Sequence, residues 1–183
     1  MYYRILLKAC LVLLLLSSNG ITLYAQRVHY NNYLSVIPIG FFYRTFHKGV
    51  EYTRYFGTAH NRSIQLGFYY GQQLYIPGWN EHKYYLVTAA FNATVVQKNR
   101  FEYAVGVHSG VGRFQDTYTE RYPYRQDIFY GISIGMNNNF YWHISKRFFL
   151  GANAVPPMPV LTFDKGLKTG VGFKLSLQAG IKL

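Results

Sequence analysis

From Thr169 to Leu183 the chain alternates almost perfectly. Val171, Phe173, Leu175, Leu177, Ala179, Ile181 and Leu183 are apolar; Gly172, Lys174, Ser176, Gln178, Gly180 and Lys182 fall between them. A period of two over that length is a β-strand with one apolar and one polar face. The same alternation predicts seven earlier strands, at Tyr33–Phe41, Phe46–Phe56, Arg62–Gln72, Tyr84–Val96, Phe101–Phe114, Asp127–His143 and Arg147–Val155. Each is near or above the roughly 9–11 tilted residues that cross a bilayer. Pro38 interrupts the first strand. Proline removes a ladder donor and is confined to edges and bulges, so a bulge is expected there.

The predicted connections alternate in length. Strands two to three, four to five and six to seven are joined by short turns carrying Asn61-Arg62, Asn99-Arg100 and Lys146-Arg147. Between them lie longer segments, Gln73–Lys83, Gln115–Gln126 and Pro156–Lys168, while the first connection of that set, around Phe42–Thr45, is short. Outer-membrane barrels have short periplasmic turns and longer outside loops, so both termini are expected in the periplasm.

Before the first strand, Arg4 and Lys8 flank the start of an apolar run whose dense part is Leu11–Leu16, followed by Ser17-Ser18-Asn19-Gly20. The run is far shorter than the roughly 20 residues of a spanning helix. Its order, positive then apolar then small and polar, is that of a secretory signal peptide. Residues 1–25 are therefore expected to be removed after Ala25, leaving residues 26–183 as one barrel domain. Cys10, the only cysteine, lies in this leader, so residues 26–183 hold no thiol for a disulfide, a metal or a nucleophile.

Alternation alone leaves open which face points inward, since a soluble lipocalin-type barrel buries its apolar face. The glycines argue for the reverse. Gly49, Gly67, Gly71, Gly106, Gly110, Gly112, Gly131, Gly135, Gly151, Gly172 and Gly180 all fall on the polar face. Glycine is poor on an exposed strand surface but suits the crowded inside of a narrow barrel, where small and large side chains alternate. Tyr69, His108, Phe114, Phe129 and Tyr141 share that face and would fill the space. Ile64, Leu66, Phe68, Tyr103, Val105, Val107, Ile132, Ile134, Leu175 and Leu177 would then meet lipid.

Composition supports the same picture. Charged residues are 14% of the chain and aromatics 19%, against a usual charged share of about 25%. No stretch after the leader is long enough for a membrane helix, and only helices and closed barrels satisfy every backbone group in lipid. Aromatic clusters at Phe41-Phe42-Tyr43, Tyr84-Tyr85, Phe129-Tyr130, Phe140-Tyr141-Trp142 and Phe148-Phe149 fall near strand ends, as interfacial girdles do. Outside the leader, 17 of the 19 Lys and Arg face all 7 acidic residues, a net charge of +10. An exported barrel makes nucleic acid an unsuitable partner. The cations instead suit anionic headgroups, at the outer loops (Arg44, Lys48, Lys83, Arg121, Arg125, Lys165, Lys168) and at the turns (Arg62, Lys98, Arg100, Lys146, Arg147). Membrane lipids, with lipopolysaccharide among them, are the partners this implies.

Chemistry-bearing patterns are thin. His143-Ile144-Ser145 is similar to the His-any-Ser pair of lipid A deacylase barrels, but only Asp164 follows as an acid, at the opposite end of the expected barrel. No His/Asp/Glu cluster has metal-ligand spacing, and no glycine loop would cradle a phosphate. No catalytic, metal or cofactor site is therefore assigned. Glu51 and Lys174 fall mid-strand on the polar faces of strands two and eight, with only strand one between them. They are expected to pair inside the lumen, with His108 and Tyr69 as neighbours in a polar plug. Tyr118, Arg121, Tyr122, Tyr124 and Arg125, in the segment Asp116–Arg125, are the candidate outer-loop contact residues.

The alternating last strand, the leader and Tyr24-Ala25-Gln26 resemble the small eight-stranded outer-membrane β-barrel proteins common in the Bacteroidota. The resemblance covers essentially all of residues 26–183. It implies recognition of the last strand by the barrel-assembly machinery, for which Leu183 stands in place of the usual terminal aromatic. The expected architecture is an all-β, eight-stranded, antiparallel, up-and-down transmembrane β-barrel in the outer membrane. Its expected role is structural or surface-interactive, without enzymatic activity; a small pore and a lipid-modifying enzyme are the alternatives.

Overall fold

A computed structural model of the chain describes residues 31–42, 45–57, 61–73, 81–118, 125–163 and 167–183. The expected leader, residues 1–25, and its expected cleavage after Ala25 lie outside the described residues. Eight strands are present: β1 (Asn32–Phe42), β2 (Thr45–Phe56), β3 (Arg62–Gln72), β4 (Glu81–Lys98), β5 (Phe101–Tyr118), β6 (Arg125–His143), β7 (Phe148–Phe163) and β8 (Leu167–Lys182). Each pairs antiparallel with the next, and β8 returns to β1, closing the barrel. Closure leaves no sheet edge to template other chains.

The strands follow the alternation closely up to β3. Beyond it they outrun the sequence reading. β4, β5 and β6 have 18, 18 and 19 residues against 11 and 12 in β1 and β2. Their extra length lies largely at the loop end, where Tyr118 pairs with Arg125 and Glu81 with Thr117. The barrel wall is therefore taller on one side. Tyr118, expected in a loop, ends β5 instead.

The largest departure is β7. Pro156 and Pro157 predict a loop from Pro156 onward, yet the strand continues to Phe163. It does so because the ladder is broken where the prolines sit. The register slips between Val155 and Met158 against β8, and no pairs are made between Ser133 and Asn138 on the β6 side. A proline needs no acceptor for an N–H it lacks. The freed backbone is partly answered by a side chain on the outer wall: Asn138 Nδ2 donates to Ala154 O at 3.2 Å, while its Oδ1 accepts from Tyr103 Oη at 2.8 Å. Pro38 behaves as expected, with register shifts on both sides of β1 between Val36 and Gly40. Two turns use positive φ, at Gly57 (88°) and Asn99 (53°).

The faces divide as the glycines indicate. Leu66, Phe68, Val107, Ile134, Leu175 and Leu177 point outward and are exposed, whereas Glu51, Gln65, Tyr69, His108, Asn139 and Lys174 point inward and are buried. The inner glycines make room for rings. A Cβ on Gly71 would strike the Tyr84 ring, one on Gly180 the Phe149 ring, and one on Gly106 the Phe91 carbonyl and the Asn92 side chain. At Gly106 the obstacle includes backbone, which cannot swing aside. Gly106→Ala is expected to destabilise the barrel by about 1–3 kcal/mol, as overpacking does. Val107→Ala, one residue away on the outer wall, should have a smaller effect in urea titrations of the detergent-folded protein. Equal effects would contradict the inward placement of Gly106.

Candidate functional site

The barrel interior is layered, and its layers decide what the molecule can pass or hold. Near the loop end, Phe42, Tyr84 and Phe114 pack ring to ring, with centroids 5.4 Å apart for Phe42–Tyr84 and 5.8 Å for Tyr84–Phe114. Phe129 stacks on Phe114 at 5.4 Å, and Ile37, Leu86, Val155 and Val160 complete this apolar layer. At the turn end a second layer joins Tyr33, Tyr55, Tyr141 and Phe149, with Tyr33 4.8 Å from Tyr55 and 5.0 Å from Phe149. These side chains come from β1, β2, β6 and β7, so no single pair of strands makes the closure.

Between the two layers lies a polar column. Lys174 Nζ is 3.4 Å from Glu51 Oε1 and donates to Tyr69 Oη at 2.6 Å; Tyr69 Oη in turn donates to Glu51 Oε1. The ammonium also lies 4.0 Å from the Tyr69 ring centroid, a cation–π contact. Glu51 and Lys174 are 1% and 2% exposed, so neither charge has bulk water to turn to. Charges at that depth are tolerated only when paired and hydrogen-bonded. The second carboxylate oxygen of Glu51 accepts from Gln65 Nε2 at 2.6 Å.

From Gln65 the network continues through amides alone. Gln65 Oε1 accepts from Asn137 Nδ2 (3.0 Å) and Asn139 Nδ2 (3.3 Å); Asn153 Nδ2 donates to Asn137 Oδ1 and Asn139 Oδ1, both at 2.6 Å. Asn137 Nδ2 also reaches Asn92 Oδ1 at 2.8 Å. Ser35 donates to Gln178 Oε1 at 3.0 Å, and His47 Nε2 lies 2.8 Å from Ser176 Oγ. Seven strands, all but β5, are thus tied by inward side chains rather than only along the wall.

A second buried carboxylate sits beside the turn-end aromatic layer. Glu102 accepts from Tyr55 Oη at 2.6 Å and from Thr94 Oγ1 at 3.3 Å, and its other oxygen lies 3.0 Å from His143 Nε2. Glu102 is the acid beside His143 that the sequence reading did not find. The nearby Ser145 hydroxyl is occupied by the turn itself, accepting from the backbone N–H of Arg147 (3.2 Å) and Phe148 (3.0 Å). At the loop end, above the aromatics, His82 Nδ1 lies 2.6 Å from Asp116 Oδ1.

Of the expected plug residues, the structure brings Glu51, Tyr69 and Lys174 together. His108 shares the interior and is buried, but it makes no hydrogen bond to those three, and its Nε2 has no partner among the described residues. Arg121, Tyr122 and Tyr124 lie outside the described residues; Arg125 opens β6 opposite Tyr118. The amide network was missed altogether. The run Asn137-Asn138-Asn139 inside a strand was its visible trace, because such a run is unusual in lipid-facing sequence. Among the described residues, no group of three or more His, Cys, Asp or Glu is placed to hold a metal ion.

No family model matches the chain, and no curated protein sequence matches it. Solved structures do. The chain is similar to Neisserial surface protein A (TM-score 0.58, 9% identity, covering 83% of this chain and 95% of that one). It is also similar to the N-terminal β-barrel domain of Pseudomonas aeruginosa OprF (0.53, 11%, 84% and 98%) and to Ail, the attachment invasion locus protein of Yersinia pestis (0.54, 10%, 83% and 97%). At such identities the likeness is one of fold: a small, closed, eight-stranded antiparallel barrel of the outer-membrane kind. The Bacteroidota element of the sequence resemblance gains nothing from these neighbours.

The coupling within the polar column is measurable. Glu51→Gln and Lys174→Met should each destabilise the folded barrel, by up to the about 3–5 kcal/mol typical of orphaning one member of a buried pair. The double variant should lose less than the sum, because it removes both charges. Additive losses in a detergent unfolding cycle would mean that the two groups are separately hydrated.

Proposed function

We propose that the protein is an integral outer-membrane barrel with a plugged interior, whose role is structural or surface-interactive and is exercised by its loop end. The carrying observation is the double closure. Aromatic layers at both ends enclose a column of side chains hydrogen-bonded across the lumen. Eight strands leave an interior just wide enough for side chains to fill, and here they fill it. A diffusion pore would need both layers to move apart.

The wall supports the membrane location. Its outward face is a continuous apolar surface that includes Val36, Val50, Leu66, Val87, Val107, Ile134 and Leu177. A patch that size on a soluble protein would be an aggregation liability. The turns then face the periplasm and the extended β4, β5 and β6 face outward, with membrane lipids as obligatory neighbours and the barrel-assembly machinery as the route of insertion. Ail has been seen in complex with the heparin analogue sucrose octasulfate. Polyanions, lipopolysaccharide included, are accordingly the partner class we assign to the outer loops, through Arg121, Arg125, Lys165 and Lys168. Catalysis on lipid is not part of this reading, because the Ser145 hydroxyl is committed to its turn.

Three measurements check it. The protein should fractionate with the outer membrane and migrate differently on gels before and after boiling. Labels added to intact cells should reach the Tyr118–Arg125 segment and not Asn99-Arg100. In planar bilayers the purified protein should give no steady large-conductance channels; their appearance would replace the plug with a pore.

A further inference from the structure

The two ends of the barrel are charged differently. At the turn end six cations are exposed: Arg54, Arg62, Lys98, Arg100, Lys146 and Arg147. None of them makes an ion pair among the described residues. The sequence places no Asp or Glu in the turn segments 57–61, 99–100 and 144–147. Among the described residues the one acidic side chain at that end, Glu102, is buried inside and already engaged by Tyr55, Thr94 and His143. At the loop end the described cations Lys48, Lys83, Arg113, Arg125 and Lys168 share the rim with Glu81, Asp116 and Asp127, with Lys83 3.0 Å from Glu81. The turns differ in having no Asp or Glu in the segments that carry their cations.

Its placement identifies what answers it. Arg54 and Arg62 are not at turn tips. They continue the outward apolar stripes of β2 and β3, following Val50 and Tyr52 in one and preceding Ile64 and Leu66 in the other. A row of aromatics borders them: Arg62 pairs in register with Phe56, Lys98 with Phe101, and Phe101 with Trp142. A cation whose aliphatic stem lies along the lipid-facing wall, with its head just past the aromatic row, reaches the depth of lipid phosphates. A soluble glycan or peptide would meet the turn tips but not those two wall-facing guanidinium groups.

We infer that the turn end is a binding ring for anionic phospholipid headgroups of the leaflet that it faces. Guanidinium groups bind phosphate oxygens in a fork, and lysines add point charges. The inference rests on the membrane-barrel reading above. Membrane-surface attraction of this kind falls off within a Debye length, about 10 Å at 0.1 M salt and about 3 Å at 1 M.

The test uses the exported protein purified from membranes and refolded into vesicles of phosphatidylcholine, alone or with about a third phosphatidylglycerol. Insertion is checked first by circular dichroism and gel mobility. A chain that inserts into neither vesicle overturns the barrel reading and this inference with it. With insertion established, the folding equilibrium constant from urea titration is expected to be at least about tenfold higher with the anionic lipid, and the gain should shrink in 1 M salt. Replacing the six turn-end cations by Gln should abolish the gain while leaving the barrel folded in neutral lipid. Lys48→Gln, Lys83→Gln and Arg113→Gln together should leave most of it. Equal stability in both vesicles, or a gain that survives the six replacements, overturns the assignment. So does capture on peptidoglycan sacculi through the same six residues with no response to anionic lipid.

Discussion

Everything in this molecule follows from closing eight strands on themselves. Closure gives every strand a partner on both sides and removes the edge, but it also fixes the bore. A cylinder so narrow has no room for bulk water and none for a second layer of structure. Whatever points inward has to be packed by whatever points inward from the other strands, and its polar groups have chiefly one another to bond. The glycines beneath Tyr84 and Phe149, the ring layers at both ends and the amide column between them are consequences of that confinement.

Confinement also orders the chemistry. Glu51 and Lys174 belong to strands that are not neighbours, and Tyr69 to a third. They meet only because the lumen is small. Glu51 is then served by three donors on two oxygens, which engages both oxygens of the carboxylate. Glu102 is arranged in the same manner with a tyrosine, a threonine and a histidine. Both buried carboxylates are held by structure rather than presented for use, and so the loop end, not the bore, carries the proposed role.

The strands were legible in the sequence because a half-buried strand writes itself as a period of two, and the last strand does so without error. The inward face was legible because glycine marks crowding. The extent of β7 was not, since Pro156 and Pro157 read locally as a loop and only the broken ladder beside them admits a strand. Nor were the partners of His143 and Asn137. Glu102 lies 41 residues from His143, and each by itself is a polar residue on a polar face. Only the register across β5 and β6 and the curvature of the wall bring such residues within reach. Alternation states which face a side chain occupies and says nothing about whom it meets there.

The two faces of the wall answer to different rules, and this bears on how such chains diverge. Apart from positions such as Arg54, Arg62 and Asn138, an outward position needs only to be apolar, so valine, leucine and phenylalanine exchange there almost freely. An inward position is tied to its counterparts across the bore, so it changes only together with them, a glycine yielding when a ring elsewhere shrinks. Lineages can thus rewrite the wall residue by residue and the filling in correlated sets while the cylinder stays the same. The solved barrels similar to this chain share only 9–11% of its residues at TM-scores of 0.53–0.58, so what they have in common with it is the cylinder and not the residues. The bore, in this sense, is specified as a volume rather than as a set of letters.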